Sequence, residues 1–340
     1  MSNRETLISA FLSSAGWSDA KRAPLAGDAS NRRYERLASP TGEKAVLMDA
    51  PPERDEDVRP FIKIAKYLSG LGMSAPQIFA SDEANGFLLL EDLGDDLYAR
   101  VIEQDGSMEQ PLYSAAIDAL VELHKAKPPS DLPTYSASFM AEEASFAWHW
   151  YLRGTDQNYE PLARDFKAKF ETILAEFDQK SDILIQRDFH AENLIWLPER
   201  HGIAKVGMLD FQDALIGHRA YDLVSLLQDA RRDVPLETER EMIKRYLEKT
   251  GLEKAPFEAE YHLLGLMRNL RIVGIFARLS LHFGKAQYVD LIPRVWGFVE
   301  RDLAHPAAED IRDQVLSDLP APTPDHLQRL RDLCGAVPTL

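Results

Sequence analysis

The segment at residues 185–212 constrains the fold of this chain most strongly. Its first apolar run leads into a polar loop that contains Asp188 and ends at Asn193, and a later apolar run ends at Asp210. Turn-forming residues at 198–202 separate the two apolar runs that follow the loop, as in a β-hairpin. A hairpin would return the chain to its starting point, so we expect Asn193 and Asp210 to lie at one end, where one ion can reach both.

The polar residues of this segment fit the requirements of phosphoryl transfer. That reaction needs a carboxylate near the attacking hydroxyl and hard oxygen ligands around a magnesium ion. The spacing from Arg187-Asp188 to Asn193, with a later acid ahead of a phenylalanine, is the spacing of a kinase catalytic loop. We therefore predict Asp188 as the catalytic base, with Arg187 beside it in the catalytic loop. Asn193 and Asp210 are the predicted metal ligands.

Two alternative interpretations of the same segment stay open. The segment can be an ordinary polar turn with solvated acids, although the joint occurrence of its motifs favours a functional site over this interpretation. It can also hold a metal through Asp188, His190 and Glu192. That arrangement leaves Asn193 and Asp210 unexplained, and no cysteine pair or His-Glu-x-x-His run supports it.

Composition limits the partners and the compartment. The 340 residues suffice for two lobes with their own cores, and the formal net charge of −16 argues against a nucleic-acid partner. Cys334 is the only cysteine, which rules out an intrachain disulfide and favours a reducing compartment. The N-terminus lacks the features of a secretory signal, and the apolar stretch at 262–283 contains three arginines. We expect a cytoplasmic monomer without membrane contact.

The order of the patterns predicts an α+β, bilobal, protein-kinase-like fold. Strand-like segments dominate up to residue 90, whereas helical periodicity dominates from residue 97 onwards. We therefore predict a small N-terminal nucleotide-binding lobe with an antiparallel sheet (1–90), a hinge (91–95) and a larger helical C-terminal lobe with the catalytic loop and acceptor site (96–340). One helix of that lobe is expected to run from 139 to 152.

Two loops of the N-terminal part are candidate nucleotide sites. The loop at 27–31 precedes a strand and contains small residues, whose backbone N–H groups can cover phosphate oxygens. The backbone of the hinge would meet the adenine edge. Taken alone, the first loop is equally a plain hairpin loop and the second a solvated turn. The predicted nucleotide-binding residues are Gly27, Ser30, Asn31, Arg33, Glu91 and Leu93.

Asp222 lies in an apolar sequence context twelve residues after Asp210. A carboxylate in such a context needs hydrogen-bond partners. Asp222 can be a structural brace that accepts hydrogen bonds from the catalytic loop, with Arg187 as a candidate donor. It can equally be an acid at a helix start that is stabilised by the helix dipole.

These motifs resemble those of the aminoglycoside phosphotransferase and choline-kinase-like family. Longer blocks resemble one branch of it, the anomeric N-acetylmuramate/N-acetylglucosamine kinases of bacterial cell-wall recycling. These blocks are residues 27–34, 46–52, 209–214 and 274–279. The resemblance implies ATP- and magnesium-dependent phosphorylation of the C1 hydroxyl of a free amino sugar. An anomeric hydroxyl is more acidic than an ordinary alcohol, so one aspartate in hydrogen-bond reach can accept its proton.

The chain departs from the family pattern at two positions. Gln186 stands where the wider family usually has a histidine, and its amide can still donate and accept hydrogen bonds. Met48 stands where kinases of this shape place a phosphate-binding lysine, and a thioether cannot replace that charge. Lys44 is about 13 Å away along a strand, too far to substitute. Arg32, Arg33 or an additional metal contact would have to supply the positive charge.

The acceptor stays open at this point. Alternatives are a kinase of another small alcohol or an aminoglycoside, and a catalytically silent nucleotide-binding pseudokinase, for which Met48 is the only support. Residues beside the catalytic motifs, and one aromatic residue, are candidates for contact with the acceptor. They are His190, Gln212, Asp213, Asp229 and Trp150, each of which can equally serve packing or lie in solvent.

Overall fold

The structure is a computed structural model that describes residues 3–25, 31–155 and 157–338. Its internal contacts divide the chain into two compact units. The first comprises residues 1–119 and 191–214, and the second comprises residues 120–190 and 215–340.

An antiparallel five-stranded sheet forms the centre of the first unit. Its strands are β1 (Lys21–Pro24), β2 (Arg33–Ala38), β3 (Lys44–Asp49), β4 (Ile78–Asp82) and β5 (Phe87–Glu91). They lie in the order β1-β2-β3-β5-β4. Because side chains alternate along a strand, Ala45 and Leu47 of β3 face one side of the sheet, and Val46 and Met48 face the other.

Helix α1 (Asn3–Ser14) covers one face of this sheet. Its residues Ile8, Phe11 and Leu12 form a buried cluster with apolar side chains of β2, β3 and β5. Val46, on the other face, lines the same cavity as Phe61 of α2 (Arg59–Gly70), and the ring centroid of Phe61 lies 4.8 Å from that of Phe211.

The predicted hairpin is confirmed. Strand β7 (Leu194–Trp196) pairs antiparallel with β8 (Val206–Met208), with Leu194 opposite Met208. The first unit also contains α3 (Tyr98–Gln104) and the start of α4 (Glu109–Leu123).

The second unit is mainly helical. Strands β6 (Ile183–Ile185) and β9 (Leu215–Gly217) pair antiparallel. The helices are α5 (Ala137–Ala144), α6 (Phe146–Trp150), α7 (Tyr159–Asp178), α8 (Tyr221–Leu227), α9 (Leu236–Thr250), α10 (Lys254–Leu281), α11 (Ile292–Leu303), α12 (Glu309–Asp318) and α13 (Pro324–Asp332). None of the described helices is both long and apolar enough to cross a membrane.

The predicted single helix at 139–152 is wrong in one respect, because it is divided at Ser145. The Ser145 hydroxyl donates a hydrogen bond to the carbonyl of Glu142 at 2.6 Å. A serine side chain that bonds to the preceding turn in this way competes with the helical hydrogen bonds. Helix α6 therefore starts separately, and it packs against α10 where Gly274 leaves room for the backbone of Phe146.

Candidate active site

The hairpin brings the two predicted metal ligands together. Asn193 immediately precedes β7, and the N–H of Leu209 donates to the carbonyl of Asn193 at 2.9 Å. Asp210 is the next residue after Leu209, so the amide of Asn193 and the carboxylate of Asp210 belong to neighbouring backbone positions. Both residues line the same cavity.

This cavity has a volume of about 500 Å³ and lies entirely in the first unit. A volume of this order is typical of sites for small molecules, which combine apolar walls with a few polar groups. The apolar wall of the cavity includes Val46 and Leu90 of the sheet, and Glu91 and Leu93 of the predicted hinge also line it. The lining is therefore suited to a flat apolar ring with a polar or charged extension.

Asp210 is held in an unusual conformation. Its φ of 56° lies in the left-handed region, and the Gln212 amide donates to Asp210 Oδ1 at 2.7 Å. Gln212 is 8% exposed. The sequence pattern suggested Gln212 as an acceptor contact, whereas its visible contact is with the Asp210 carboxylate.

The oxygen ligands of this pair fit magnesium. An amide oxygen and a carboxylate are hard donors, and magnesium usually keeps several waters and takes only one or two protein carboxylates. Among residues 3–25, 31–155 and 157–338, no group of three or more His, Cys, Asp or Glu side chains could hold a metal ion. The two oxygen ligands of Asn193 and Asp210 suit a cation that completes its shell with water and phosphate oxygens.

The predicted catalytic residues Arg187 and Asp188 lie in the second unit, directly after β6. The carboxylate of Asp222 accepts hydrogen bonds from the N–H of Gln186 at 2.7 Å and from the N–H of Arg187 at 3.0 Å. The donors are backbone groups rather than the Arg187 guanidinium. Burial raises the pKa of Asp222 to about 7, even though these two hydrogen bonds favour the charged form.

The Arg187 side chain is held by Glu143 of α5. Its Nη2 lies 2.8 Å from Glu143 Oε1, and its guanidinium lies over the ring of Tyr135. The Tyr135 hydroxyl also donates to Glu143, and Arg271 Nε lies 3.2 Å from the same carboxylate. No motif of the sequence identifies Glu143 and Arg271 as site residues. The available signal was that a charge within an apolar helix such as α10 needs a partner when it is buried.

The candidate acceptor residues of the second unit have different surroundings. His190 is buried, which lowers its pKa to about 4, and its Nε2 lies 3.4 Å from Arg231 Nη1. Asp229 is also buried, and its Oδ1 accepts from the N–H of Arg231 at 2.8 Å. The Trp150 ring is buried against the guanidinium of Arg153. Their contact with an acceptor stays a prediction.

The predicted phosphate loop is only partly described, because Gly27 and Ser30 lie outside the described residues. Asn31 is exposed, and its N–H donates to Glu56 Oε1 at 3.0 Å. Arg33 Nη2 lies 2.6 Å from Asp49 Oδ2.

Two further predicted positions of the first unit differ in exposure. Burial lowers the pKa of Arg32, but Tyr34 and Glu56 outweigh it and raise this pKa, with a smaller contribution from the exposed Asp213. Met48 is 1% exposed within the sheet.

Known proteins share this organisation. A model of the phosphotransferase enzyme family matches residues 21–260 of the chain. This chain belongs to the phosphotransferase enzyme family. An N-acetylmuramate/N-acetylglucosamine kinase of Caulobacter vibrioides is 40% identical to this phosphotransferase, with 92% of this chain and 95% of the relative covered. A kinase of the same name from Pseudomonas aeruginosa is 33% identical, with coverages of 90% and 91%.

The fold is shared with a solved phosphotransferase structure. The ternary complex of streptomycin, ATP and APH(2'')-IIa superimposes with a TM-score of 0.57 at 15% identity, and covers 80% of this chain and 90% of the other. This structural similarity confirms the predicted α+β, bilobal, protein-kinase-like fold, with an antiparallel sheet in the N-terminal lobe and a mainly helical C-terminal lobe.

Proposed function

We propose that this phosphotransferase transfers the γ-phosphoryl group of ATP to the C1 hydroxyl of N-acetylmuramate or N-acetylglucosamine and releases the sugar 1-phosphate. The observation that carries the proposal is the 40% identity with the Caulobacter vibrioides kinase over 92% of the chain. The product suits the recycling of peptidoglycan sugars. We further propose that the enzyme works as a monomer in the cytoplasm, where ATP is available and a lone cysteine stays reduced.

Asp188 is the proposed base. Its carboxylate accepts the proton of the C1 hydroxyl while the phosphoryl group moves to the sugar oxygen. Two features of the second unit support this role. The hydrogen bonds from Gln186 and Arg187 to Asp222 fix the backbone just before Asp188, and Glu143 fixes the Arg187 side chain. A base that is held in place needs little rearrangement before it takes the proton.

Asn193 and Asp210 are the proposed magnesium ligands. A bound magnesium ion would neutralise charge on the phosphate oxygens during transfer. Gln212 supports this role because its amide orients the Asp210 carboxylate. The pair lies at neighbouring positions of one hairpin, so its geometry does not depend on loop closure.

The cavity of the first unit is the proposed adenine site, with the backbone of Glu91 and Leu93 at its edge. Gly27, Ser30, Asn31 and Arg33 would surround the phosphates. Because Met48 contributes no charge, we propose that magnesium carries more of the phosphate neutralisation here than in kinases with a lysine at that position. In this proposal residues 1–90 form the nucleotide-binding lobe and residues 96–340 form the lobe with the catalytic loop and the acceptor site. Residues 91–95 are the hinge between them.

Release of ADP from ATP and Mg²⁺ in the presence of single free acceptors tests the proposal. We expect turnover with N-acetylmuramate or N-acetylglucosamine and none with their methyl glycosides, in which C1 carries no hydroxyl. Turnover only with choline or an aminoglycoside would overturn the assignment of the acceptor. Nucleotide binding without turnover of any acceptor would overturn the assignment as an enzyme.

A further inference from the structure

Two buried polar side chains outside the sequence motifs contact the catalytic loop. Arg268 of α10 is 3% exposed, and its Nη2 donates to the hydroxyl of Ser225 at 2.9 Å. Ser225 of α8 is fully buried, and its hydroxyl donates to the carbonyl of Arg187 at 3.2 Å. A continuous chain of hydrogen bonds thus joins α10 to the residue that precedes Asp188.

The chemistry of these groups determines the direction of each hydrogen bond. A guanidinium has donors and no acceptor, so Ser225 must receive the bond from Arg268 through a lone pair. The single hydrogen of the Ser225 hydroxyl therefore points towards its other partner, the Arg187 carbonyl. Arg268 therefore fixes the orientation of a hydroxyl that could otherwise rotate.

The carbonyl that Ser225 binds belongs to a strained residue. Arg187 has a φ of 71°, in the left-handed region that residues other than glycine rarely adopt. Helix α8 holds this residue at both of its backbone polar groups, because Asp222 accepts from its N–H and Ser225 donates to its carbonyl. That carbonyl is part of the peptide bond to Asp188, so its orientation sets the direction in which the Asp188 side chain leaves the backbone.

Stability alone gives a poor account of Arg268. Among the described residues, its Nε and Nη1 are buried without a hydrogen-bond partner. Buried charges that are incompletely bonded tend to be less stabilising than apolar side chains of similar volume. Burial raises the pKa of Asp222, the other side chain of α8 that holds Arg187, and the charge of Arg268 opposes that rise. These two interactions of the Arg268 guanidinium thus lead to the catalytic loop.

We propose that Arg268, acting through Ser225, is a positioning residue that holds the Arg187–Asp188 peptide in its strained conformation and so directs the Asp188 carboxylate. This inference rests on the proposed role of Asp188 as the base. It predicts that loss of either residue slows the chemical step without weakening substrate binding.

The test compares Ser225→Ala, Arg268→Met and the double variant with wild type. Ser280→Ala is the matched control, because Ser280 is another buried serine that donates to a backbone carbonyl, that of Leu330. We expect each single variant to lower kcat about tenfold, the loss typical of one hydrogen bond, with KM for ATP and for the acceptor within about twofold of wild type. The double variant should lose no more than the worse single variant, because both act on one carbonyl.

Two results would overturn the proposal. One is an unchanged kcat in Ser225→Ala. This substitution removes a single oxygen atom, so it tests the proposal even if Arg268→Met fails to fold. The other is a double variant whose loss is the product of the single losses, which would show that Arg268 does not act through Ser225. These ratios are measured with whichever alcohol the wild type phosphorylates, so a wrong acceptor in the proposed function leaves this test intact.

Amide hydrogen exchange of residues 186–189 provides a readout without turnover. Exchange should be faster in Ser225→Ala and Arg268→Met than in wild type and in Ser280→Ala. Equal exchange in all four proteins would contradict the proposed restraint on the loop.

Discussion

At the scale of single residues, Arg187 and Asp210 are two of the three non-glycine residues with a positive φ in the described part of the chain, and we assign chemistry to both; the third is Asp55. The positive φ angles of Arg187 and Asp210 each cost of the order of 1–3 kcal/mol relative to a relaxed backbone. Each is offset by local hydrogen bonds, through Asp222 and Ser225 at Arg187 and through Gln212 at Asp210. Neighbouring side chains thus hold in strained conformations two residues to which we assign a role in the reaction.

Replacement of the proposed base tests its role directly. Asp188→Asn keeps the size of the side chain and removes its ability to take a proton. We expect kcat to fall by a factor of roughly 10² to 10⁴, the usual contribution of general base catalysis, with an unchanged Tm. Asp182→Asn, which changes an exposed acid of the same unit, is the control. A kcat within a few-fold of wild type in Asp188→Asn would show that another group takes the proton.

The buried Asp222 predicts an unusual dependence of stability on pH. Its pKa is raised from an ordinary value near 4 to about 7, so the folded state holds a proton that the unfolded state releases between these values. The free energy of unfolding should therefore fall as pH rises through this window, by at most about 1.4 kcal/mol per pH unit from this group.

Denaturant unfolding of wild type and Asp222→Asn from pH 4 to pH 8 isolates this effect. The wild-type free energy of unfolding minus that of Asp222→Asn should decrease over this range. His190 has the opposite influence, because burial lowers its pKa to about 4, but both proteins share it and it cancels. A difference that is constant with pH would contradict the raised pKa.

At the scale of secondary-structure elements, the sequence predicts those strands and helices whose residues show a clear local periodicity. The strand-like segment at 44–49 coincides with β3 (Lys44–Asp49), and the helical periodicity at 257–283 belongs to α10 (Lys254–Leu281). Strand β1 (Lys21–Pro24) was not predicted, because a short edge strand with two charges and a proline has no apolar alternation. The cluster around Glu143 was also missed, since it joins α5 to α10 across long sequence separations that no local pattern records.

The packing of α10 on α6 depends on the absence of a side chain at Gly274. A Cβ there would lie 2.3 Å from the carbonyl carbon of Phe146, a backbone atom that cannot move independently. We expect Gly274→Ala to reduce the free energy of unfolding by about 3 kcal/mol, the upper range for overpacking. Thermal or denaturant unfolding measures the change.

Gly297 of α11 is the matched control. A Cβ at Gly297 meets no atom within 4 Å, so Gly297→Ala should stabilise the protein by about 0.5–1 kcal/mol through helix propensity. Equal effects of the two substitutions would show that the α6–α10 approach does not limit stability.

At the scale of the whole molecule, a protein with a formal net charge of −16 has to bind an anionic nucleotide. The cation between Asn193 and Asp210 would then be essential for nucleotide binding as well as for transfer. Mg²⁺ with ATP should stabilise the folded protein by about 2.7 kcal/mol at a ligand concentration of 100 Kd. A thermal shift assay should show a smaller rise in Tm when EDTA is added with ATP.

The same assay assigns the effect to the metal pair. In Asp210→Asn the rise in Tm caused by Mg²⁺ with ATP should shrink to the value seen with EDTA, whereas Asp182→Asn should keep the full rise. A full magnesium-dependent rise in Asp210→Asn would place the cation elsewhere.

The residues that line the cavity of the first unit also bear on which reagents can label this protein. Within the described part of the chain, no lysine lines the cavity that contains Asn193 and Asp210. If this cavity binds the nucleotide, as we propose, nucleotide-derived labels that acylate an amine would find no lysine among these lining residues. We therefore expect such labels to modify this protein less than they modify kinases with a lysine at the position of Met48.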